Sequence, residues 1–171
     1  VWMKLGAYAG GGLAIGFGAI GAAIGEGYTA SQANAAISRN PSLSGDILKT
    51  MLVGQAIAES ASIFALVVAL MLLFTNFGGT SFISVWALFS AGICVGLGAI
   101  GSGVGAGFPA GAACLGTSRQ PAMGKRLTTN MLIGSAVCQT PSIFALVVSF
   151  ILIYVDASTK PLWPTWAAVV G

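Results

Sequence analysis

The sequence predicts an all-α membrane protein made of two fused transmembrane helical hairpins, four spanning helices in all. Three observations lead there. The chain has 171 residues, is 56% hydrophobic and only 6% charged, and its mean hydropathy is +0.92. Four acids and seven bases cannot supply the polar surface of a soluble domain of this size. The apolar runs are long enough, as helices, to cross a hydrocarbon core of about 30 Å, which takes roughly 20 residues. Finally, the second half of the sequence repeats the first.

That repeat fixes the organisation. Gly18–Gly21 (GAIG) recurs as Gly98–Gly101, and Ser38-Arg39-Asn40-Pro41 as Ser118-Arg119-Gln120-Pro121. Met51–Gly54 (MLVG) returns as Met131–Gly134 (MLIG), and Ser62–Val68 (SIFALVV) as Ser142–Val148. Every match has the same offset of 80 residues, without insertion, so the gene is a tandem duplication. Residues 1–79 form the first hairpin and residues 80–171 the second, with a short C-terminal tail.

Within the first copy, a Gly/Ala-rich helix is expected from about Gly6 to Ser38, and a Leu/Val/Ile-rich helix from about Ser44 to Phe74. The second copy repeats them from about Ser84 to Ser118 and from about Ala122 to Val155. Arg39-Asn40-Pro41 and Arg119-Gln120-Pro121 mark the turns, because proline ends a helix and disfavours helix in the residue before it. Asn76–Thr80 (NFGGT) links the copies. The segment after Lys4 continues into a full-length span, without the short apolar core and cleavage site of a secretory signal.

Charge gives an orientation. The two turns carry Arg39, Lys49, Arg119, Lys125 and Arg126, against Lys4 and Lys160 at the other end. The basic bias predicts cytoplasmic turns and both termini on the opposite side of a multi-pass protein. A net charge of +3 is therefore a topology signal, and no nucleic-acid partner is expected. Trp86, Trp163 and Trp166 suit interfacial anchors. There is no histidine, which removes the usual metal, proton-relay and Ser/His/Asp constellations. Cys94, Cys114 and Cys138 are odd in number and lack CxxC spacing, so they read as small packing residues.

The first helix carries Gly10, Gly11, Gly12, Gly16, Gly18, Gly21, Gly25 and Gly27; the third carries Gly96, Gly98, Gly101, Gly103, Gly105, Gly107 and Gly111. Each interior glycine costs about 1 kcal/mol of helix propensity relative to alanine. In lipid that load is offset by close backbone approach. These glycines cover more than one side, as a helix flanked on both sides by like helices requires. A nucleotide-binding loop is excluded, since no strand precedes the glycines and no lysine follows in P-loop spacing.

Of the four acids, Asp46 falls in the first turn and Asp156 at the last helix end, where both are solvated. Glu26 and Glu59 lie inside apolar spans, where an ionisable residue costs at least about 2.5 kcal/mol and is functional by default. Glu26 is 15 residues before Pro41 and Glu59 is 18 after it, which places them at similar depth. Ser60 adds a hydroxyl, and Gln55 lies one turn before Glu59 on the same face. Carboxylates, hydroxyls and carbonyls are hard oxygen donors suited to Na⁺.

The turn Arg39-Asn40-Pro41, the glycine helix and the segment Ala56-Ile57-Ala58-Glu59-Ser60 resemble the rotor-ring proteolipid (the c-type subunit) of F-type ATP synthases, once per hairpin over nearly the whole chain. Four spans with one carboxylate-bearing hairpin are also similar to V-type proteolipids, but the Arg-x-Pro turns favour the F-type lineage. The resemblance implies a non-catalytic rotor subunit that assembles into an oligomeric ring, homomeric or mixed with other c-type subunits. It further implies partners: a stator a subunit bearing an essential arginine, central-stalk subunits at the turns, and membrane lipids. The transported ion is implied to be Na⁺, with H⁺ as the alternative, and no organic cofactor. The ligands of sodium rings map onto Glu26, Glu59, Ser60 and the carbonyl of Ile57. Two departures stand out. The helix-one ligand, commonly glutamine, is Glu26 here, and a tyrosine that often braces the glutamate is Phe64.

Adding 80 to each ligand position shows what the second hairpin lacks. Glu59 corresponds to Gln139 and Glu26 to Ala106, so the carboxylates are gone. Ser60 corresponds to Thr140 and Ile57 to Val137, so the hydroxyl and carbonyl remain. Pro141 has no N–H for the carbonyl four residues earlier, which is that of Val137. Val137 and Thr140 are therefore expected to complete a site with Glu26 and Glu59 across a hairpin boundary; the alternative is a simple kink with drifted ligands. Two other function classes remain open. A small four-helix cation/proton antiporter needs aromatic residues around its glutamate, whereas Ala56, Ala58 and Ala61 flank Glu59. A pore-forming structural proteolipid leaves Glu59 unexplained.

Overall fold

The computed structural model describes residues 2–77 and 82–154. Asp156, Lys160, Trp163 and Trp166, read above as end charges and interfacial anchors, lie outside them. Five α-helices account for four spans: α1 (Trp2–Arg39), α2 (Ser44–Phe74), α3 (Phe82–Arg119), α4 (Gly124–Cys138) and α5 (Thr140–Tyr154). Four stretches are long and apolar enough to cross a membrane, the last being Pro121–Tyr154, which contains both α4 and α5. The two-hairpin architecture is the one expected from the repeat.

Both turns are built the same way. Asn40 and Gln120 adopt extended backbone (φ −143° and −137°) before Pro41 and Pro121, as the clash with the proline ring requires. A single 3₁₀ turn follows each, Pro41–Leu43 and Pro121–Met123. The Asn40 and Gln120 amides close the preceding helices on Ala36 O (3.1 Å) and Gly116 O (2.9 Å). Asp46 and Lys49 sit at this end as an exposed pair 3.7 Å apart, as a solvated turn predicts.

The glycine helices are neighbours. α1 packs along α3, and α2 lies against both of them, while α4 and α5 lie mainly on α3. Glycine makes the α1–α3 approach possible. A Cβ on Gly25 would strike the Gly103 carbonyl oxygen, one on Gly92 the Gly10 backbone, and one on Gly103 would come within 2.6 Å of Gly21 C. Backbone against backbone is the closest packing helices achieve in lipid. Gly12, Gly16 and Gly27 on α1, and Gly101 on α3, have nothing within 4 Å of a notional Cβ. A second glycine face thus stands unused within the chain.

One expectation is corrected. The fourth span is not a single helix from about Ala122 to Val155; it breaks at Gln139, between α4 and α5. Pro141 is the cause, since it cannot donate to Val137 O, and the Gln139 amide closes α4 on Ala136 O instead (3.2 Å). The first and third helices also run two to four residues further at their N-termini than expected. The cysteines are free: Cys114 Sγ contacts Ile47 O and Cys94 Sγ contacts Ala145 O. Trp86 is exposed and meets Phe82 and Phe89 edge-on.

Candidate ion-binding site

Glu59 sits at the middle of α2 and Glu26 in the half of α1 nearer the turn. Buried Ala58 packs 3.4 Å from the position of a Cβ on Gly25, so small residues bring the two helices together at this depth. The Gln55 side-chain amide then donates to the Glu26 carbonyl oxygen (3.2 Å), tying α2 to α1. Glu59 is exposed and Glu26 half-buried, so the pair opens on an outer edge of the chain.

The other predicted ligands divide between two places. Ser60 Oγ donates to its own helix at Ile57 O (2.6 Å). The same carbonyl accepts from Gln139 Nε2 across the hairpin boundary (2.8 Å). Only the nitrogen end of that amide can face a carbonyl oxygen, so its orientation follows from chemistry. Ile57, Ser60 and Gln139 therefore form one cluster at the junction inside the chain. Val137 and Thr140 do not join Glu26 and Glu59 within the chain. Both face outward, Val137 with 68% of its surface exposed, whereas Gln139 is 8% exposed. Among the described residues, no three of His, Cys, Asp and Glu cluster to hold a metal.

The repeat holds at the level of single hydrogen bonds. Gln55 to Glu26 O in the first hairpin has its counterpart in Ser135 Oγ to Ala106 O (3.4 Å) in the second. Both ends of that bond are related by the offset of 80. Glutamine in one copy and serine in the other do the same work with different reach.

The family model for the ATP synthase C subunit matches residues 9–72 and again 89–152. The chain belongs to the ATP synthase C-subunit family. Each match covers one hairpin, so the duplicated form follows from the family itself. Curated relatives agree. The ATP synthase c-type subunit of Natranaerobius thermophilus is 51% identical over 57 residues, 33% of this chain and 66% of the relative. Those from Geotalea uraniireducens and Mesomycoplasma hyopneumoniae are each 46% identical, over 65 and 74 residues, covering 38% and 43% of this chain and 71% and 72% of the relative. The chain spans about two-thirds of the length of the first two relatives it matches.

Set on the C-subunit hairpins, the geometry shows what sequence reasoning missed. The contact between hairpins runs from Gln139 of the second to Ile57 of the first, and its direction was not assigned from sequence. The signal was present in the offset: Gln139 is the counterpart of Glu59, so it marks which neighbour that position reaches.

Proposed function

We propose that this chain is a rotor-ring subunit that carries Na⁺ on Glu59 and Glu26, and that each complete site lies between two copies. One observation carries the reading: Gln139 Nε2 bonds Ile57 O at 2.8 Å. The second-hairpin position equivalent to Glu59 thus reaches the backbone-ligand position of the hairpin before it. Shifted by one hairpin, the same geometry directs Glu59 to the Val137 carbonyl and the Thr140 hydroxyl of the preceding copy. Those two groups face outward, and Pro141 leaves the Val137 carbonyl without its helical donor. Carboxylates from one chain and carbonyl plus hydroxyl from the next make an all-oxygen set suited to Na⁺, with H⁺ as the alternative.

The glycine faces support the same stacking. Gly92, Gly96 and Gly107 of α3 pack on α1 within the chain. Their counterparts Gly12, Gly16 and Gly27 have nothing within 4 Å of a notional Cβ, which leaves that face of α1 free to receive α3 of a second copy. Repeating that step closes a ring, homomeric or mixed with one-hairpin subunits. The chain is then non-catalytic. Glu59 is neutralised by its ion while facing lipid and releases it near a stator arginine, which comes from another polypeptide because Arg39, Arg119 and Arg126 all lie at the turn end. The turns face the cytoplasm and the central stalk, in keeping with their basic bias.

An antiporter reading fits less well. The exposed aromatic pair nearest in sequence, Tyr28 and Phe108, has centroids 4.9 Å apart. Tyr28 follows Glu26 by two residues, about 200° around the helix, so the pair faces away from the carboxylate. The deciding experiment is carbodiimide labelling of the membrane-embedded complex, titrating Na⁺ at fixed pH and mapping the adduct by mass spectrometry. Labelling at Glu59 suppressed by Na⁺ is expected. Labelling indifferent to Na⁺ but responsive to pH would make the ring a proton carrier, and protection by drug cations would make the chain an antiporter.

A further inference from the structure

Tyr28 and Phe108 are counterparts in the two hairpins, 80 residues apart. They touch, with ring centroids 4.9 Å apart at an interplanar angle of 52°. The contact has a direction. Tyr28 leans from α1 across α3, where Gly111 leaves it room: a Cβ on Gly111 would come within 2.8 Å of Tyr28 Cε1 and 2.9 Å of Gln32 Cγ. Tyr28 thus lies on the glycine helix of the following hairpin and ends against the ring which that helix carries. Phe108 belongs to the last hairpin of the chain, and 55% of its surface is exposed, against 37% for Tyr28. The repeat sets the position it would lie on. Gly111 corresponds to Ser31, which is exposed and turned back on its own helix by a 2.7 Å bond from its hydroxyl to Tyr28 O.

We infer that Phe108 is a contact for a second copy of this chain, lying across α1 of that copy over Ser31 and against its Tyr28. Alternating Tyr28 and Phe108 rings then form a continuous aromatic belt around the assembly. For the existence of a neighbouring copy the inference rests on the ring reading above; it adds the side chains that meet. Tilted aromatic rings attract one another beyond the apolar area they cover, which suits a contact in lipid, where apolar burial supplies no driving force between helices. The belt matters more between copies than within one. Inside the chain, Thr29 Oγ1 also ties the two helices together, donating to Gly107 O at 3.2 Å. The counterpart of Thr29 is Pro109, which has no hydroxyl to offer the Gly27 carbonyl of the next copy. Ser31 also has a Cβ where Gly111 has none, so Phe108 stands further off its neighbour's helix than Tyr28 does. The contact between copies is the looser of the two, and at this depth the aromatic pair holds it.

The test uses the full chain in its membrane with a photoreactive benzoyl-phenylalanine in place of Phe108, illuminated once native gels show an assembled ring. A covalent dimer of chains is expected, its adduct mapped by mass spectrometry to the segment of the second copy around Tyr28 and Ser31. A dimer joined elsewhere, or adducts confined to lipid or to the same chain, overturns the inference. Wild type that forms no ring on those gels would sink the rotor reading, and this inference with it, before position 108 is probed. Should the larger side chain prevent assembly, Phe108→Cys and Tyr28→Cys chains are co-expressed and treated with a short bis-maleimide. Dimers are expected from the mixture and not from either variant alone, a comparison that removes any contribution of Cys94, Cys114 and Cys138. Equal yields from the mixture and the single variants overturn the contact. Phe108→Ala is expected to lower the temperature at which the ring dissociates while the chain keeps its helicity. An unchanged dissociation temperature would overturn the part given to the belt.

Discussion

Ile57 and Val137 occupy equivalent places in the two hairpins, and their carbonyls meet opposite ends. Ile57 O accepts from Ser60 and Gln139 inside the chain. Val137 O has a proline where its helical donor should be, and its residue faces out. If that carbonyl and the Thr140 hydroxyl serve the next copy, Thr140→Val should weaken Na⁺ protection of Glu59 about tenfold, the value of one lost ligating hydroxyl at about 1–1.5 kcal/mol. Titrating Na⁺ against carbodiimide labelling checks this, and unchanged protection counts against the shared site. Glu59→Gln should abolish both labelling and ion transport while leaving the ring assembled, because an amide at this position is already accommodated at Gln139. Failure to assemble would point to a structural glutamate.

At the scale of the helix, proline and glycine make different uses of the backbone. Pro141 breaks the fourth span at Gln139, whereas Pro109 lies within an unbroken α3. Pro141→Ala returns an N–H to Val137 O, so α4 and α5 should merge. The helix gains up to about 3 kcal/mol, yet Na⁺ affinity should fall, because the ligating carbonyl is re-engaged. A more heat-stable ring with weaker Na⁺ protection is the expected pair of results; tighter protection would refute the role of the break. Gly25 shows the other use. A side chain there runs into the Gly103 carbonyl and pushes α1 off α3. Gly25→Val should therefore prevent the chain from folding, read as loss of protease-resistant protein in the membrane.

The whole molecule is asymmetric, since only its first hairpin carries carboxylates within the apolar spans, Glu26 and Glu59. Each ion crossing is worth about 2.3 kcal/mol per 100 mV. If Glu59 and Glu26 form the proposed site, a ring built of this chain alone would carry one ion per four helices, which would supply less energy per turn for synthesis and let ATP hydrolysis sustain a steeper gradient. Ring assembly can be separated from chain folding at Gly16. Nothing lies within 4 Å of a Cβ at that position inside the chain, whereas its counterpart Gly96 packs on Leu13, Ala14 and Phe17. Gly16→Leu should leave helicity and membrane insertion intact but abolish the ring on native gels. A normal ring would mean that this face of α1 is not the contact between copies.

The hairpins, their turns and the depth of the two carboxylates could be read from sequence, because each depends on local chemistry. Twenty-odd apolar residues must be helical in lipid, proline must end a helix, and a carboxylate in an apolar span needs a reason. The offset of 80 also named Gln139, Ala106, Val137 and Thr140 as the altered half of the repeat. The break at Gln139 was one step away, since Pro141 signalled a freed carbonyl but not how far the helix would part. Only the tertiary structure decided which hairpin reaches which. Two mirror choices, Gln139 toward Ile57 or Glu59 toward Val137, satisfy the same residues and spacing. The choice between them is made by the α1–α3 glycine contact, which sets the side on which the second hairpin stacks and leaves Val137 and Thr140 on the open edge.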